Sequence, residues 1–420
     1  MNPMLYRYLL IVLFVVSVIV LLVVGFERGL RYFTGEPAGP IKYRQHPTAL
    51  ATVVPDLKKK HDDWRGMHTY RTNANGVRDD GPLCQRANVL LFGDSNVFAK
   101  FLPYDKTLGE QVEDLFDGDV CTINLGVPGY GPDQSLLRML YEIDYLDLSP
   151  EVIVFHVFAD NDYGDMFRNY LFTLDEAGNL QQTNRDRIDY KLRTMERLQA
   201  QYLLVRRFRD LLINTGFYRM PLNEYVPERE GYDLERPLGS AAETSRYIEH
   251  FEAVTRDEFE SYKNGRYTTW LGDLYDYYIA LNPDSEAARY ARQLLTAIFR
   301  QGQKKTEELG ACFVVLIQPS EWDVGETGPI PYRDLDSFSD TFKRHYHRRN
   351  LTDIAKAAAI ASGAAYIDLF DLYTNPGAGA YTSYLHDKGD NHWNTRGVQI
   401  AAEAIAGFIT ENDCFGMPHY

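Results

Sequence analysis

Five short apolar segments alternate with amphipathic segments along this chain, and the alternation limits the folds open to it. The predicted strands are residues 88–92, 120–125, 152–158, 312–317 and 364–369. The predicted helices are residues 108–116, 134–143, 287–309, 338–362 and 395–409. Such alternation favours an α/β fold with a parallel sheet between two layers of helices. Right-handed crossovers favour a doubly wound arrangement with the strand order 2-1-3-4-5.

The third and fourth predicted strands are separated by about 150 residues, although a single crossover helix needs far fewer. We therefore predict that residues 70–162 and 285–420 form one domain and that residues 163–284 are a mainly helical insertion. The insertion includes helices predicted at 188–212 and 240–281. A lid, a dimer surface and a partner-binding face are three uses that its sequence leaves open.

The N-terminal segment indicates a membrane anchor. Residues 8–26 are 19 residues without a charge, and as a helix they extend about 28 Å, enough for the hydrocarbon core of a bilayer. A cleaved signal peptide is the alternative, but small residues in an Ala-x-Ala pattern do not follow the run. We predict an anchor at 1–30 and a juxtamembrane stalk at 31–69, with the catalytic domain periplasmic or extracellular. Arginines on both sides of the run leave the orientation open.

The net charge argues against a nucleic-acid partner, and the cysteine spacing argues against a cysteine-ligated metal site. The 420-residue chain has a formal net charge of −15, which argues against a nucleic-acid partner because phosphate binding needs a basic surface. None of its four cysteines lies in a Cys-x-x-Cys metal spacing, and no metal site is predicted. The cysteines fit two disulfides in an oxidising compartment or four buried thiols.

The first predicted strand ends abruptly at Gly93-Asp94-Ser95. Open α/β sheets bind ligands at the carboxyl ends of their strands, so Ser95 is a candidate nucleophile. The plain alternative is a turn that closes a strand. A hydroxyl nucleophile also needs a base and a group that orients the base.

A candidate base and its partner follow the last predicted strand. Asp390 and His392 lie two residues apart in an apparently irregular segment. A carboxylate this close can fix the imidazole tautomer and leave the other ring nitrogen for Ser95. A loop histidine near an aspartate is common without any function, and His386 beside Asp387 is a second candidate pair.

Acyl transfer also needs hydrogen-bond donors for the developing oxyanion. The backbone amides of Ser95 and Gly129 and the side-chain amide of Asn161 are candidates, since each follows a predicted strand. An Asx turn is the plain alternative for Asn161.

Together these four blocks resemble the SGNH (GDSL-type) hydrolase family, which carries a Ser in Gly-Asp-Ser, a Gly, an Asn and a His in that order. The matching residues are Ser95, Gly129, Asn161 and His392, and the resemblance covers roughly residues 70–160 and 310–412. It implies a flavodoxin-like three-layer sandwich, Ser95 as nucleophile and His392 as base. It also implies Asp390 as orienter, an oxyanion hole of Ser95, Gly129 and Asn161, and no metal or organic cofactor.

The chain departs from the family pattern at three places. Asn96 replaces the usual apolar residue after the serine, a change we expect to matter little, and Ala159 stands where the third block usually has Gly. The Asp that commonly lies three residues before the His is replaced by Gly389. The form Asp-x-His-Trp-Asn at 390–394 is more similar to membrane-linked relatives that act on polysaccharide acyl groups.

The predicted sheet also suggests a cysteine pairing. All four cysteines fall at the end of the sheet opposite the predicted site. Cys84 and Cys121 precede or begin adjacent strands, so we expect this pair to be bridged.

These observations predict a membrane-anchored serine esterase that removes short acyl groups, such as O-acetyl, from a carbohydrate or another envelope ester. One alternative is an O-acyltransferase that passes the acyl group to a glycan. Another is a non-catalytic glycan-binding or assembly subunit that docks a protein partner through residues 163–284.

Overall fold

The computed structural model describes residues 43–63, 66–79, 89–183, 278–324, 349–374 and 390–416 as continuous stretches. It also describes residues 81, 83–84 and 385–386 and the positions 14–15, 18, 22–26, 28, 256, 259–260 and 263. The chain divides into two units, Met1–Lys42 with Asp186–Pro227 and Tyr43–Arg185 with Glu228–Tyr420. The first unit lies mostly outside the described residues, and the elements named next belong to the second.

The described strands and helices follow in chain order. The strands are β1 (Tyr43–Gln45), β2 (Ala51–Val53), β3 (Lys58–Asp63), β4 (Gly66–Arg71), β5 (Val89–Phe92), β6 (Thr122–Asn124), β7 (Val152–Ala159), β8 (Phe172–Leu174), β9 (Leu180–Gln182), β10 (Cys312–Pro319), β11 (Ala365–Asp368), β12 (Leu385–His386) and β13 (Asp390–Trp393). The helices are α1 (Ser95–Phe98), α2 (Leu108–Leu115), α3 (Pro132–Tyr145), α4 (Asp162–Asn169), α5 (Glu286–Glu308), α6 (Glu321–Val324), α7 (Asn350–Ser362), α8 (Leu369–Thr374) and α9 (Thr395–Glu411).

Five of the described strands form a parallel sheet in the order β11-β10-β7-β5-β6. This confirms the predicted order 2-1-3-4-5. All eight residues of β7, the central strand, are buried, as its continuous apolar sequence predicts for a strand covered on both faces. The carboxyl ends of β5, β6 and β7 therefore lie side by side at one edge of the sheet.

Two hydrophobic cores cover the two faces of this sheet. Successive side chains of a strand point to opposite faces, so Leu90 and Phe92 join one core and Val89 and Leu91 join the other. Helices α3, α5 and α7 pack in the first core, and α2 and α9 pack in the second. The result is the predicted α/β sandwich of three layers.

Part of the predicted stalk is packed into this unit. Antiparallel hairpins form from β1 with β2 and from β3 with β4. Ala49, Val53 and Leu57 are buried in the same core as α3, and the Gln134 amide donates to the Ala49 carbonyl at 3.0 Å. Apolar residues between positions 49 and 57 thus belong to the core of the sandwich, whereas Tyr43 is 40% exposed.

The membrane anchor predicted at residues 1–30 lies largely outside the described residues. Positions 14–15, 18, 22–26 and 28 are helical and exposed. Within the part of the chain that is described, no helix has both the length and the apolar character needed to cross a bilayer.

The predicted insertion opens with α4 and an antiparallel hairpin of β8 and β9. Described positions at 256, 259–260, 263 and 278–281 are helical, whereas the predicted helix at 188–212 lies outside the described residues. Phe259 contacts the ring of Phe167 in α4, with 5.6 Å between the ring centroids. This part of the insertion therefore packs on the sandwich.

Two disulfides close the sandwich at the starts of its strands. Cys84 is bonded to Cys121, as predicted, and Cys312 is bonded to Cys414, which follows α9. Of the two readings of the four cysteines, the structure contains the two disulfides.

Candidate active site

The turn after β5, which leads to Ser95, packs closely against the side chains of Val97 and His156. A Cβ at Gly93 would lie 2.6 Å from Val97 Cγ2 and 2.9 Å from His156 Cβ, so only glycine fits without a shift of its neighbours. Asp94 then caps α1, because its Oδ1 accepts from the Asn96 backbone amide at 2.8 Å. Ser95 is the first residue of that helix and is half-buried.

Ser95 meets His392, which lies 297 positions later in the sequence. His392 belongs to β13, which pairs with β12, and its Nε2 lies 2.7 Å from Ser95 Oγ. The Phe101 ring stands edge-on to the imidazole at a centroid distance of 4.5 Å. A hydrogen bond of this length allows an imidazole to take the serine proton as a nucleophile is formed.

The next residue of each segment makes a second contact. Asn96 Oδ1 accepts from the Trp393 backbone amide at 3.2 Å, and the Asn96 carbonyl accepts from Trp393 Nε1 at 3.0 Å. Asn96 and Trp393 are both 1% exposed. The turn that carries Ser95 is therefore joined to β13 at two consecutive pairs of residues.

A chain of buried polar side chains lies behind this contact. His156 Nε2 lies 2.9 Å from Gln318 Oε1, and Gln318 Nε2 donates to Asn96 Oδ1 at 3.4 Å. His156 Nδ1 lies 3.6 Å from Asp94 Oδ1. Burial lowers the pKa of His156, although Asp94 and Gln318 oppose the shift, so the imidazole is neutral near pH 7.

The two remaining oxyanion candidates lie at the ends of the strands that flank β5. Gly129 is exposed in the turn after β6, with φ +79°, a conformation that favours glycine. Asn161 follows β7 at the start of α4 and is half-buried, and its Nδ2 donates to Asp165 Oδ2 at 3.1 Å. The structure thus brings Ser95 and His392 into contact and puts Gly129 and Asn161 at adjacent strand ends.

Asp390, the predicted orienter of His392, and the second candidate pair, His386 with Asp387, lie in or between β12 and β13. Asp390 begins β13 and is in register with His386 of β12. The side chains of both residues lie outside the described residues, and so does Asp387. The role of Asp390 remains a prediction.

A buried acidic side chain, Asp162, lies at the start of α4, close to the carboxyl end of β7. Asp162 is 2% exposed, and its Oδ2 accepts from the Phe158 amide at 2.7 Å. Burial raises the pKa of Asp162 well above its ordinary value, and the nearby carboxylates of Asp94 and Asp165 raise it further. Among the described residues no three His, Cys, Asp or Glu side chains are grouped so as to hold a metal ion.

Sequence reasoning missed the buried polar residues behind Ser95. We expected Asn96 to matter little, but it contacts Asp94, Gln318 and Trp393. His156 and Gln318 had a signal in the sequence, since each is a polar residue inside an otherwise apolar strand. Buried polar groups need partners, and such positions predict a polar network even when the partner is unknown.

Comparisons with known proteins add little to this geometry. No protein-family model matches the chain, and no curated protein matches it. Among solved structures, the chain is similar to the lipase/acylhydrolase from Enterococcus faecalis, at 12% identity over 78% of this chain and 96% of that chain, with a TM-score of 0.33. It is also similar to LAE5, an alpha/beta hydrolase enzyme from the metagenome of Lake Arreo, Spain, at 10% identity over 78% and 97%, with a TM-score of 0.33. Values this low identify no shared activity, so the function has to come from the side-chain contacts.

Replacement of Gly93 by alanine tests how closely Val97 and His156 pack against the turn after β5. The added methyl group clashes with Val97 and His156, and we expect Gly93→Ala to lower the free energy of unfolding in urea by about 1–3 kcal/mol. Gly407→Ala in α9 is the control, since a Cβ there meets no described atom within 4 Å. It should raise the stability by up to about 1 kcal/mol. Equal stability of Gly93→Ala and wild type would contradict the packing described.

Proposed function

We propose that this protein is a membrane-anchored serine esterase of the SGNH type. It removes short acyl groups, O-acetyl foremost, from a carbohydrate or another ester of the cell envelope. The observation that carries the proposal is the 2.7 Å contact between Ser95 Oγ and His392 Nε2 at the carboxyl edge of a parallel sheet. Binding alone does not require a serine hydroxyl held against an imidazole, and nucleophilic catalysis does.

The proposed reaction proceeds through an acyl-enzyme. Ser95 Oγ attacks the ester carbonyl carbon while His392 Nε2 takes the hydroxyl proton, and the carbonyl π electrons move onto oxygen. The amides of Ser95 and Gly129 and the Asn161 side chain donate to that oxyanion. His392 then gives its proton to the leaving alcohol as the carbon–oxygen bond breaks. Water then attacks the acyl carbon while His392 takes a proton from it, and His392 returns that proton to Ser95 Oγ as the bond between Oγ and the acyl carbon breaks and the acid leaves. Asp390 holds the imidazole throughout.

The proposed location is the periplasmic or extracellular side of a membrane. The uncharged run at residues 8–26 supports an N-terminal anchor. The disulfides Cys84–Cys121 and Cys312–Cys414 support an oxidising compartment, because cytosolic reductants keep thiols reduced. Residues 163–284 are proposed as a surface for a protein partner only under the assembly alternative.

Covalent labelling with a fluorophosphonate tests the nucleophile. Wild type should label, whereas Ser95→Ala should not, and His392→Ala should label far more slowly. We expect each variant to lose about 10⁴-fold or more in kcat/KM on an acetyl ester, and the double variant to lose no more than Ser95→Ala alone. Ser362→Ala, which removes a half-buried hydroxyl at the end of α7, is the matched control and should label as wild type. Folded wild type that does not label would exclude Ser95 as a nucleophile.

An acyltransferase is the second candidate, favoured by the Asp-x-His-Trp-Asn form at residues 390–394. The same acyl-enzyme would then react with a sugar hydroxyl instead of water. Turnover of an acetyl ester with and without a soluble oligosaccharide separates the two. An esterase should release acetate at the same rate with and without the oligosaccharide. If acetylated sugar instead forms as the main product and less acetate is released, the protein is a transferase.

A further inference from the structure

We propose that Asn96 is a positioning residue, which sets the distance between Ser95 Oγ and His392 Nε2 by holding Trp393. The inference deepens the proposed function and rests on it. Asn96 does not meet the reacting atoms in this account. It acts on the base through the residue that follows the base in the chain.

The geometry of the two adjacent contacts carries the inference. Ser95 contacts His392, and the next residue on each side, Asn96 and Trp393, makes two hydrogen bonds of 3.2 and 3.0 Å. The first of these bonds holds the backbone nitrogen of Trp393, which is separated from the His392 Cα by only the His392 carbonyl carbon. Restraint at that point limits the movement of the imidazole toward or away from Ser95.

The orientation of the Asn96 amide is determined by its neighbours. Its Nδ2 donates to Asp94 Oδ2 at 3.3 Å, and its Oδ1 accepts from both Trp393 N and Gln318 Nε2. A flipped amide would present its NH₂ group to two other donors and its oxygen to a carboxylate. The Asn96 oxygen is therefore kept toward Trp393.

The same network ties Asn96 to rigid parts of the sheet. Gln318 lies in β10, is 0% exposed, and is hydrogen-bonded to His156 in the central strand β7. Asp94 lies two residues after the end of β5. Asn96 thus links β13, a four-residue strand paired with the two-residue strand β12, to the turn after β5 and to residues within β7 and β10. A short hairpin of this kind is weakly held by its own pairing and gains definition from such contacts.

An apolar residue at position 96 would break the link while it leaves the fold intact. Leucine is close to asparagine in size but cannot accept from Trp393 N or Gln318 Nε2, and both donors would stay buried without this acceptor. The bond from Trp393 Nε1 to the backbone carbonyl of residue 96 would remain. The expected consequence is a shift of β13 and a longer Ser95–His392 distance in a protein that still folds.

Kinetics of Asn96→Leu test the inference. On an acetyl ester we expect kcat to fall about 10- to 100-fold with little change in KM, since an error of about 1 Å in a reacting group has an effect of this size. Asn169→Leu is the matched control, because Asn169 is another buried asparagine, whose amide donates to Asp133 and Gln134. Asn169→Leu should lower the midpoint of unfolding in urea by about as much as Asn96→Leu does, and it should leave kcat within about 2-fold of wild type. Equal losses of kcat in the two variants would overturn the inference.

A double-mutant comparison separates positioning from general damage. If Asn96 acts through His392, then Asn96→Leu should not slow the residual fluorophosphonate labelling of His392→Ala any further. Losses that multiply would overturn the inference.

Nuclear magnetic resonance of the His392 ring provides a readout that does not need turnover. In folded Asn96→Leu the Nε2 resonance should lose the signature of its hydrogen bond to Ser95, and an unchanged resonance would overturn the inference. Failure of folded wild type to label with the fluorophosphonate, by contrast, would overturn the proposed function, whatever the resonance shows.

Discussion

The hydrogen bond between Ser95 Oγ and His392 Nε2 is the contact on which the proposed chemistry depends. It joins a turn near the start of the sandwich to a hairpin near its end. Neither segment is long enough to hold its geometry alone. Parallel strand order solves the first half of this problem, because it brings the carboxyl ends of β5, β6 and β7 to one edge.

Buried polar groups solve the second half. Asp94, Asn96, His156 and Gln318 are each 3% exposed or less. Hydrogen bonds link Asn96 to Asp94 and Gln318 and link Gln318 to His156, whose Nδ1 lies 3.6 Å from Asp94 Oδ1. A buried donor or acceptor without a partner costs about 1–3 kcal/mol. Removal of one member of the network therefore destabilises the protein by leaving the polar groups of its neighbours without a partner. Such a network holds one arrangement where an apolar core would tolerate several. That is a physical reason for polar side chains directly beneath the proposed nucleophile.

Most of the sheet was predictable because its strands are apolar runs with helices between them. Residues 152–158 gave β7 to within one residue, since a strand buried on both faces has a strong signal. The hairpins of β1 to β4 were missed, as strands of three residues such as β1 and β2 carry too little pattern. Ala49, Val53 and Leu57 nearby are buried in the core that includes α3, which lies far along the chain.

The candidate site was predictable where a motif names the residue and not where a partner defines it. Ser95 and His392 could be picked out from their local sequence, and the structure brings them together. Asn96 was expected to matter little, because its importance depends on Trp393 and Gln318, which are distant in sequence. Gly129 and Asn161 were predicted by position, and the structure puts them at the expected strand ends.

Trapping of the acyl-enzyme is the most direct test of the central claim. Wild type mixed with an acetyl ester and quenched in acid should yield one acetylated peptide by mass spectrometry, with the acetyl group on Ser95. The adduct should be absent from Ser95→Ala and should disappear as the ester is consumed. Turnover of the ester by folded protein without any adduct on Ser95, or with the adduct on another side chain, would contradict the account.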